Sequence, residues 1–308
     1  MKPRAVLLVA LTLMCFAGNS LLCRLALAER HIDAASFTAI RLASGALVLF
    51  LLTFRRAPER SGRGWTSAAV LFVYAVPFSY AYLRLGAAMG ALILFALVQV
   101  TMIGWGVARG ERPGAFGWLG IAVAIAGLVG LTVPGRGAPD PLGTAGMAVA
   151  GVAWGVYSLR GRDASSDPLA TTASSFVCSL PLAAVLLGVA VPAFGVHASA
   201  RGVLLAVASG ALASGVGYSI WYAALKYLTA TRAAVLQLLV PILAAAGAVA
   251  WLGETVTVRL IVTSCAIVGG VALTIGARAT SHAKKKLGRA QSRRDEECQA
   301  AERVHENP

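Results

Sequence analysis

Two stretches of the chain follow one pattern, RLGAAMGALILFALVQVTMIGWGVARGER from Arg84 to Arg112 and KYLTATRAAVLQLLVPILAAAGAVAWLGET from Lys226 to Thr255. Each begins with a basic residue, continues through a long run of mostly apolar residues that contains one Gln, and reaches Gly-Glu near its end. A run of roughly 20 apolar residues is what a helix needs to cross a hydrocarbon core of about 30 Å. The repeated pattern therefore predicts two related transmembrane helices.

The composition of the whole chain extends this prediction. Hydrophobic residues make up 58% of the chain and charged residues only 13%, whereas about a quarter of an ordinary soluble domain is charged. The apolar runs are continuous rather than alternating, which predicts helices and not the strands of a barrel. The fold class is therefore an all-α membrane protein with ten transmembrane helices. The predicted spans are residues 5–23, 34–54, 66–83, 87–108, 114–133, 143–159, 169–191, 202–225, 231–252 and 256–276.

The two patterned stretches belong to a larger internal repeat. Sliding one half of the chain over the other by 143 positions places Gly110-Glu111 on Gly253-Glu254. Five spans lie in each half, so the second copy begins on the opposite side of the membrane, as in inverted-repeat transporters. The predicted organisation is a first repeat over 5–133, a Pro/Gly-rich inter-repeat loop over 134–142, a second repeat over 143–276 and a basic tail over 277–308.

The positions of the basic residues predict the orientation. Most of the 27 Lys and Arg residues fall on the same side as the N-terminus, and basic residues stay preferentially in the cytoplasm. Both termini are therefore expected to be cytoplasmic, and the net charge of +14 does not require a nucleic-acid partner. The tail is expected to be disordered and to contact anionic lipid, with docking of a protein partner as the alternative.

Polar and aromatic residues inside the spans are candidates for a substrate site, because polar groups in a membrane usually face the bundle interior. Tyr218, Trp221 and Tyr222 lie at i, i+3 and i+4, on one helical face, and Trp154 and Tyr157 share part of that spacing. The alternative is an interfacial aromatic belt. The candidate substrate-binding residues are Asn19, Tyr80, Gln99, Trp154, Tyr157, Tyr218, Trp221, Tyr222 and Gln237.

Three further residues are candidates for gating. Pro241 removes a backbone donor inside a span and frees a carbonyl four residues earlier, at Gln237. Glu111 and Glu254 follow glycines at helix ends and are expected to bond to loop groups or basic residues, with a gating ion pair as the alternative. Arg41, at the outer end of the second span, is interpreted as a side chain that snorkels to the surface, with a substrate carboxylate as the alternative partner.

The acidic residues and the histidines narrow the class of function. All thirteen Asp and Glu residues fall in or beside loops, so no carboxylate is predicted near the bilayer centre, where one would carry a proton or hold a cationic substrate. The four histidines lie outside the spans, and no phosphate-binding loop motif is present. We therefore expect no metal site, no cofactor and no enzymatic activity.

The residues from Cys15 to Leu52, CFAGNSLLCRLALAERHIDAASFTAIRLASGALVLFLL, and from Tyr222 to Thr257, YAALKYLTATRAAVLQLLVPILAAAGAVAWLGETVT, resemble the two halves of an EamA-type transporter of the drug/metabolite transporter superfamily. The resemblance covers the chain from about Ala5 to Gly276. It implies ten helices, cytoplasmic termini, and export or exchange of small metabolites by alternating access.

Taken together, these features predict a secondary transporter of the cell inner membrane. Its substrate is expected to be a small neutral or zwitterionic metabolite, such as an amino acid, that passes through a central cavity and is exported. A membrane channel and a membrane-embedded enzyme are the alternatives, although the spans show neither a filter sequence nor a cluster of acid-base or metal-ligating groups.

Overall fold

The computed structural model describes residues 3–54, 63–110, 114–133, 138–163, 167–225, 227–228, 236–274 and 276. Nearly all of these residues are helical, and ten helices follow one another along the chain. The eighth is α-helical over Ala200–Val207, π-helical over Ala208–Val216 and α-helical again over Gly217–Leu225. The helices are α1 Pro3–Ala28, α2 Ala34–Thr53, α3 Arg63–Tyr82, α4 Ala87–Ala108, α5 Ala115–Thr132, α6 Pro141–Asp163, α7 Pro168–Phe194, α8 (the three segments above), α9 Leu239–Leu252 and α10 Val258–Thr274.

The predicted fold class is confirmed. Within the described part of the chain, seven helices are long and apolar enough to cross a membrane, and α9 and α10 are shorter apolar helices. The predicted spans match these helices with small differences at their ends. Helix α6, for example, continues to Asp163 instead of ending at residue 159, and the start of the ninth predicted span, up to residue 235, lies outside the described residues.

Large apolar side chains cover the outside of the bundle. Leu51, Val189, Leu204 and Ile261 are all more than half exposed, although each sits within a helix. A soluble monomer rarely exposes apolar surface on this scale, whereas lipid tails solvate it without cost. The exterior of these helices is therefore built to face hydrocarbon.

Contacts between loops establish the direction of each helix. The carboxylate of Glu254, after α9, accepts a hydrogen bond from the backbone N–H of Ala87 at the start of α4 (2.7 Å). The backbone N–H of Asp33, before α2, donates to the carbonyl of His197, before α8 (2.8 Å). Arg84, after α3, pairs with Asp140, before α6 (3.3 Å). These loops meet at one end of the bundle, named here the α1–α2 end, which comprises residues 29–33, 83–86, 138–140, 195–199 and 253–257.

The two repeats therefore run in opposite directions. Helix α1 ends at the α1–α2 end, whereas α6, the first helix of the second repeat, begins there. The packing follows the same pseudo-twofold symmetry: α1 packs against α8 and α9, as α6 packs against α3 and α4. Helix α2 packs against its counterpart α7. The core thus lies at the interface between the repeats.

Helices α5 and α10, the last of each repeat, cross at a pair of glycines. A Cβ built on Gly270 would lie 2.5 Å from the carbonyl oxygen of Gly120, and one built on Gly120 would collide with Gly270 and with Thr274. Only glycine lets two helix backbones approach this closely. This crossing joins the last helices of the two repeats.

We expect Gly120→Ala to destabilise the protein by about 1–3 kcal/mol, the usual cost of overpacking a tight contact. The added methyl group meets backbone atoms of α10, which cannot rotate away. Gly188→Ala in α7 is the matched control, because a Cβ there meets nothing within 4 Å. Thermal unfolding in detergent measures both. Equal melting temperatures for the two variants would mean that the α5–α10 contact is looser than described.

Candidate functional site

A cavity lies between the two repeats, near the middle of the bundle. The first repeat contributes side chains from α1, α3 and α4, and the second from α6 and α8. Most of these side chains are aromatic or apolar, with a few hydroxyl and amide groups among them, which is the usual make-up of a small-molecule site. The lining residues are Phe16, Asn19, Ser20, Tyr74, Phe78, Leu94, Phe95, Trp154, Ala213, Ser214 and Tyr218.

Trp154 is at the centre of the aromatic wall. Its ring centroid lies 5.0 Å from that of Tyr74, 5.1 Å from that of Tyr218 and 5.6 Å from that of Tyr157, on which it stacks. Phe16 contacts both Trp154 and Tyr218 edge to face. These pairs join α1, α3, α6 and α8, so the aromatic cluster connects the two repeats across the cavity.

The π-helical segment of α8 positions the polar groups of the cavity. The hydroxyl of Ser209 donates to Oδ1 of Asn19 (2.6 Å), and the hydroxyl of Ser214 donates to the carbonyl of Ser209 (3.0 Å). Ser214 in turn accepts a hydrogen bond from Nε of Arg41 (3.4 Å). π-Helical segments inside α-helices occur frequently at functional sites, and this nine-residue segment links α1 to α2 through Ser209 and Ser214.

The position of Arg41 contradicts the expectation that its side chain reaches the membrane surface. Its side chain does not snorkel to the surface, because the residue is only 2% exposed. Nη2 donates to the hydroxyl of Tyr74 (2.9 Å), and the guanidinium lies 4.9 Å from the ring centroid of Phe78 and 5.2 Å from that of Tyr74. Snorkelling fails because the side chain points into the bundle, where hydroxyl groups and aromatic faces hold the cation.

The structure brings several of the predicted site residues together. Asn19, Trp154 and Tyr218 line the cavity. Tyr157 stacks on Trp154, and Trp221 lies 5.9 Å from Phe16 between ring centroids. These five residues form one cluster at the repeat interface.

The other predicted site residues lie elsewhere. The hydroxyl of Tyr222 accepts a hydrogen bond from Thr172 (3.1 Å). Gln99 and Gln237 are buried but are not among the lining residues, and Nε2 of Gln99 has no partner in the described structure. Tyr80 is 39% exposed and faces away from the cavity.

Two of the three candidate gating residues, Pro241 and Glu254, lie within the described residues. Pro241 is buried within α9. Glu254 accepts from the backbone N–H groups of Ala87 and Ala88 (2.7 and 3.4 Å) and pairs with Nε of Arg24 (3.6 Å). Both expected kinds of contact, to a loop and helix start and to a basic residue, are therefore made by the same carboxylate. Glu111, residues 134–137 of the predicted inter-repeat loop, and the tail over 277–308 lie outside the described residues.

Further contacts join the two repeats at the α1–α2 end. Asp33 caps the N-terminus of α2 through Ser36 (2.8 Å) and also accepts from the backbone N–H of His197 (3.2 Å). Ile32 forms an isolated antiparallel bridge with Ala198. The loop before α2 is thus fastened to the loop before α8.

Sequence reasoning missed part of the cavity. Phe16, Tyr74 and Phe78 look like ordinary apolar or interfacial residues in their spans, and their role depends on the rotation of each helix. One signal was available: the cavity side of α8 comes from ASGALASGV (208–216), a run of small residues and serines that permits close approach. A Cβ on Gly210 would collide with Ser44 and with the backbone of Arg41.

Comparisons with known proteins agree with this architecture. The model of the EamA-like transporter family matches residues 3–133 and, a second time, residues 141–276. The chain is 48% identical over 281 residues to an uncharacterized protein of Pseudomonas aeruginosa, covering 89% of this chain and 96% of that one. It is 28% identical over 261 residues to an uncharacterized transporter of Archaeoglobus fulgidus, covering 80% and 88%. A protein of known crystal structure shares the fold, with a TM-score of 0.62 at 18% identity, covering 89% and 98%.

A helical bundle of two inverted repeats around a shared cavity is the architecture of a membrane transporter. The chain belongs to the EamA-like transporter family, a family of the drug/metabolite transporter superfamily.

Proposed function

We propose that this transporter is a secondary carrier that exports a small neutral or zwitterionic metabolite, such as an amino acid, by alternating access. The observation that carries the proposal is the cavity between the repeats, to which Phe16, Asn19 and Tyr74 contribute from one repeat and Trp154 and Tyr218 from the other. A site shared by two inverted repeats can be presented to either side when one repeat rocks against the other.

The chemistry of the lining supports the substrate class. Aromatic walls suit an apolar body, and the amide of Asn19 with the hydroxyls of Ser20 and Ser214 offers hydrogen bonds. Among the described lining residues there is no carboxylate, so a substrate with a net positive charge would enter without a counter-charge. Such a site favours substrates whose charges are absent or balanced.

The contacts at the α1–α2 end support alternating access. Glu254 and Asp33 each connect one repeat with the other at this end, so the conformation described is closed there. We assign gating roles to Glu254, whose contacts must break for this end to open, and to Pro241, which lies within α9 more than three helical turns before Glu254. We propose a gating role at the opposite end for Glu111, because the internal repeat places Gly110-Glu111 on Gly253-Glu254.

The distribution of basic residues supports a placement in the inner membrane with both termini in the cytoplasm. The α1–α2 end then faces outward. The basic tail would lie at the cytoplasmic leaflet, where its Lys and Arg residues attract anionic lipid.

Two measurements test the function. Thermal unfolding of the detergent-purified protein against a metabolite library identifies ligands, because a ligand at 100 times its Kd adds about 2.7 kcal/mol of stability. Counterflow in liposomes then distinguishes a carrier from a channel. We expect saturable flux that accelerates when unlabelled ligand is present on the far side; flux that is neither saturable nor accelerated would indicate a channel.

The same liposomes test energy coupling. We expect exchange and downhill flux without a proton gradient, because a proton-coupled carrier needs a group that titrates between about pH 5 and 8, and none of the described cavity-lining residues is a carboxylate or histidine. The measurement is uptake of the labelled ligand with an imposed pH difference and a clamped membrane potential. Accumulation that collapses with a protonophore would contradict the expectation.

A further inference from the structure

The guanidinium of Arg41 is a buried cation with unused hydrogen-bonding capacity. Arginine carries five N–H donors, of which the structure engages one on Nε, with Ser214, and one on Nη2, with Tyr74. Nη1 is buried and has no hydrogen-bond partner in the described structure. An unpaired donor on a buried charge is costly, so a partner for Nη1 would be bound favourably.

No carboxylate in the described part of the chain neutralises this charge. The ion pairs found there involve Arg24, His31, Arg84 and Arg201, and none involves Arg41. Arg41 is the eighth residue of α2, which places it about 10 Å from the helix start. At that depth an unpaired charge is expensive and marks a substrate path more often than a structural contact.

Arg41 is held in place beside the cavity. Three groups that contact its side chain, Tyr74, Phe78 and Ser214, are themselves lining residues. The backbone of α8 at Gly210 packs against the backbone of Arg41, which holds this part of α2 against α8. Arg41 is not itself a lining residue but lies against Tyr74, Phe78 and Ser214. An anion that enters between these side chains would meet its free N–H groups without further ordering of the guanidinium.

We infer that Arg41 binds a single carboxylate of the substrate, through Nη1 and the second N–H of Nη2, while the apolar part of the substrate packs on Phe16, Trp154 and Tyr218. The inference rests on the proposed function and narrows its substrate class to zwitterions that carry one carboxylate, such as amino acids. One guanidinium balances one negative charge, and none of the described lining residues is charged, which favours a carboxylate over a phosphate dianion. The planar fork of arginine matches a carboxylate in a bidentate contact.

Matched acids and amides test the inference on the wild-type protein. The probes are 3-phenylpropanoate with 3-phenylpropanamide and L-phenylalanine with L-phenylalaninamide, each titrated by thermal unfolding of the full-length protein in detergent. We expect at least one acid to bind at least tenfold more tightly than its own amide. Equal binding of acids and amides, or no binding of either acid, overturns the inference. Because no substitution is involved, the result does not depend on whether a variant folds.

A set of variants locates the contact. Arg41→Gln is expected to remove the preference for the acid, and Arg41→Lys to keep part of it, since lysine retains the charge but not the fork. Arg201→Gln is the matched control, because its side chain is 59% exposed and contacts Glu29 at the surface; it should keep the preference. An acid preference that survives Arg41→Gln assigns the carboxylate to another residue. If acids and amides bind alike while counterflow proceeds, the transport proposal stands and only the carboxylate contact fails.

Discussion

Replacing Trp154 with alanine is expected to reduce ligand-dependent counterflow at least a hundredfold and to abolish ligand-induced thermal stabilisation. Trp154 contacts Phe16, Tyr74, Tyr157 and Tyr218, so its loss removes the centre of the aromatic wall. Stacking of a ring the size of a nucleobase on an aromatic side chain contributes roughly 1–3 kcal/mol of binding free energy. The rings next to Trp154 also lose a packing partner. A hundredfold loss corresponds to about 2.7 kcal/mol.

Loss of the fold must be separated from loss of the site. Trp154→Phe keeps an aromatic ring at the position and is expected to retain part of the flux, with a weaker ligand-induced shift. Trp118→Ala is the matched control, because Trp118 is 53% exposed on the outside of α5 and should leave both readouts unchanged. Elution as a single peak in gel filtration checks that each variant is folded. A folded Trp154→Ala protein with normal counterflow would remove the cavity from the transport path.

The second large effect concerns Glu254, and we expect Glu254→Gln to open the α1–α2 end. The carboxylate bonds to the first N–H groups of α4, where the helix dipole favours a negative charge, and it pairs with Arg24, which also donates to the carbonyl of Tyr82 (2.8 Å). Gly86 leaves room for it, since a Cβ there would lie 2.6 Å from Oε2 of Glu254. The glutamine side chain keeps the size of glutamate but loses its negative charge. This loss weakens the contacts of residue 254 with the start of α4 and with Arg24.

Cys23 reports the opening. It is completely buried and precedes Arg24 in α1, so a thiol reagent reaches it only when the α1–α2 end loosens. In a background with Cys15, Cys178, Cys265 and Cys298 changed to alanine, we expect Glu254→Gln to accelerate labelling by an impermeant maleimide about tenfold, equivalent to about 1.4 kcal/mol. Glu29→Gln is the control, because Glu29 is half exposed and its ion pair with Arg201 lies at the surface. Unchanged labelling of Cys23 would falsify the closing role of Glu254.

Part of the candidate site can be predicted from the sequence because polar and aromatic residues within apolar spans are few. Asn19, Trp154 and Tyr218 were selected on that ground and lie in the lining. Tyr80 was selected on the same ground but faces outward, because composition identifies a residue that is unusual for a span without giving the direction in which it points. The tendency of long basic side chains to snorkel predicts a surface position for Arg41, but this tendency does not apply when the helix faces its basic residue toward the bundle interior, as α2 does.

The sequence by itself determined the number of helices, the two repeats and their opposite directions, because each of these depends only on the length of apolar runs, the spacing of Gly-Glu and the count of spans per half. Helix length and hydropathy are local properties, and the membrane imposes them on every span alike. The tertiary structure decided the cavity, the chain of hydrogen bonds from Asn19 to Arg41 and the contacts of Glu254 with Ala87 and Arg24. These depend on the rotation of each helix about its axis and on pairs of residues as distant as Asn19 and Ser209. Such rotations are set by side-chain packing between helices, which no single apolar run specifies.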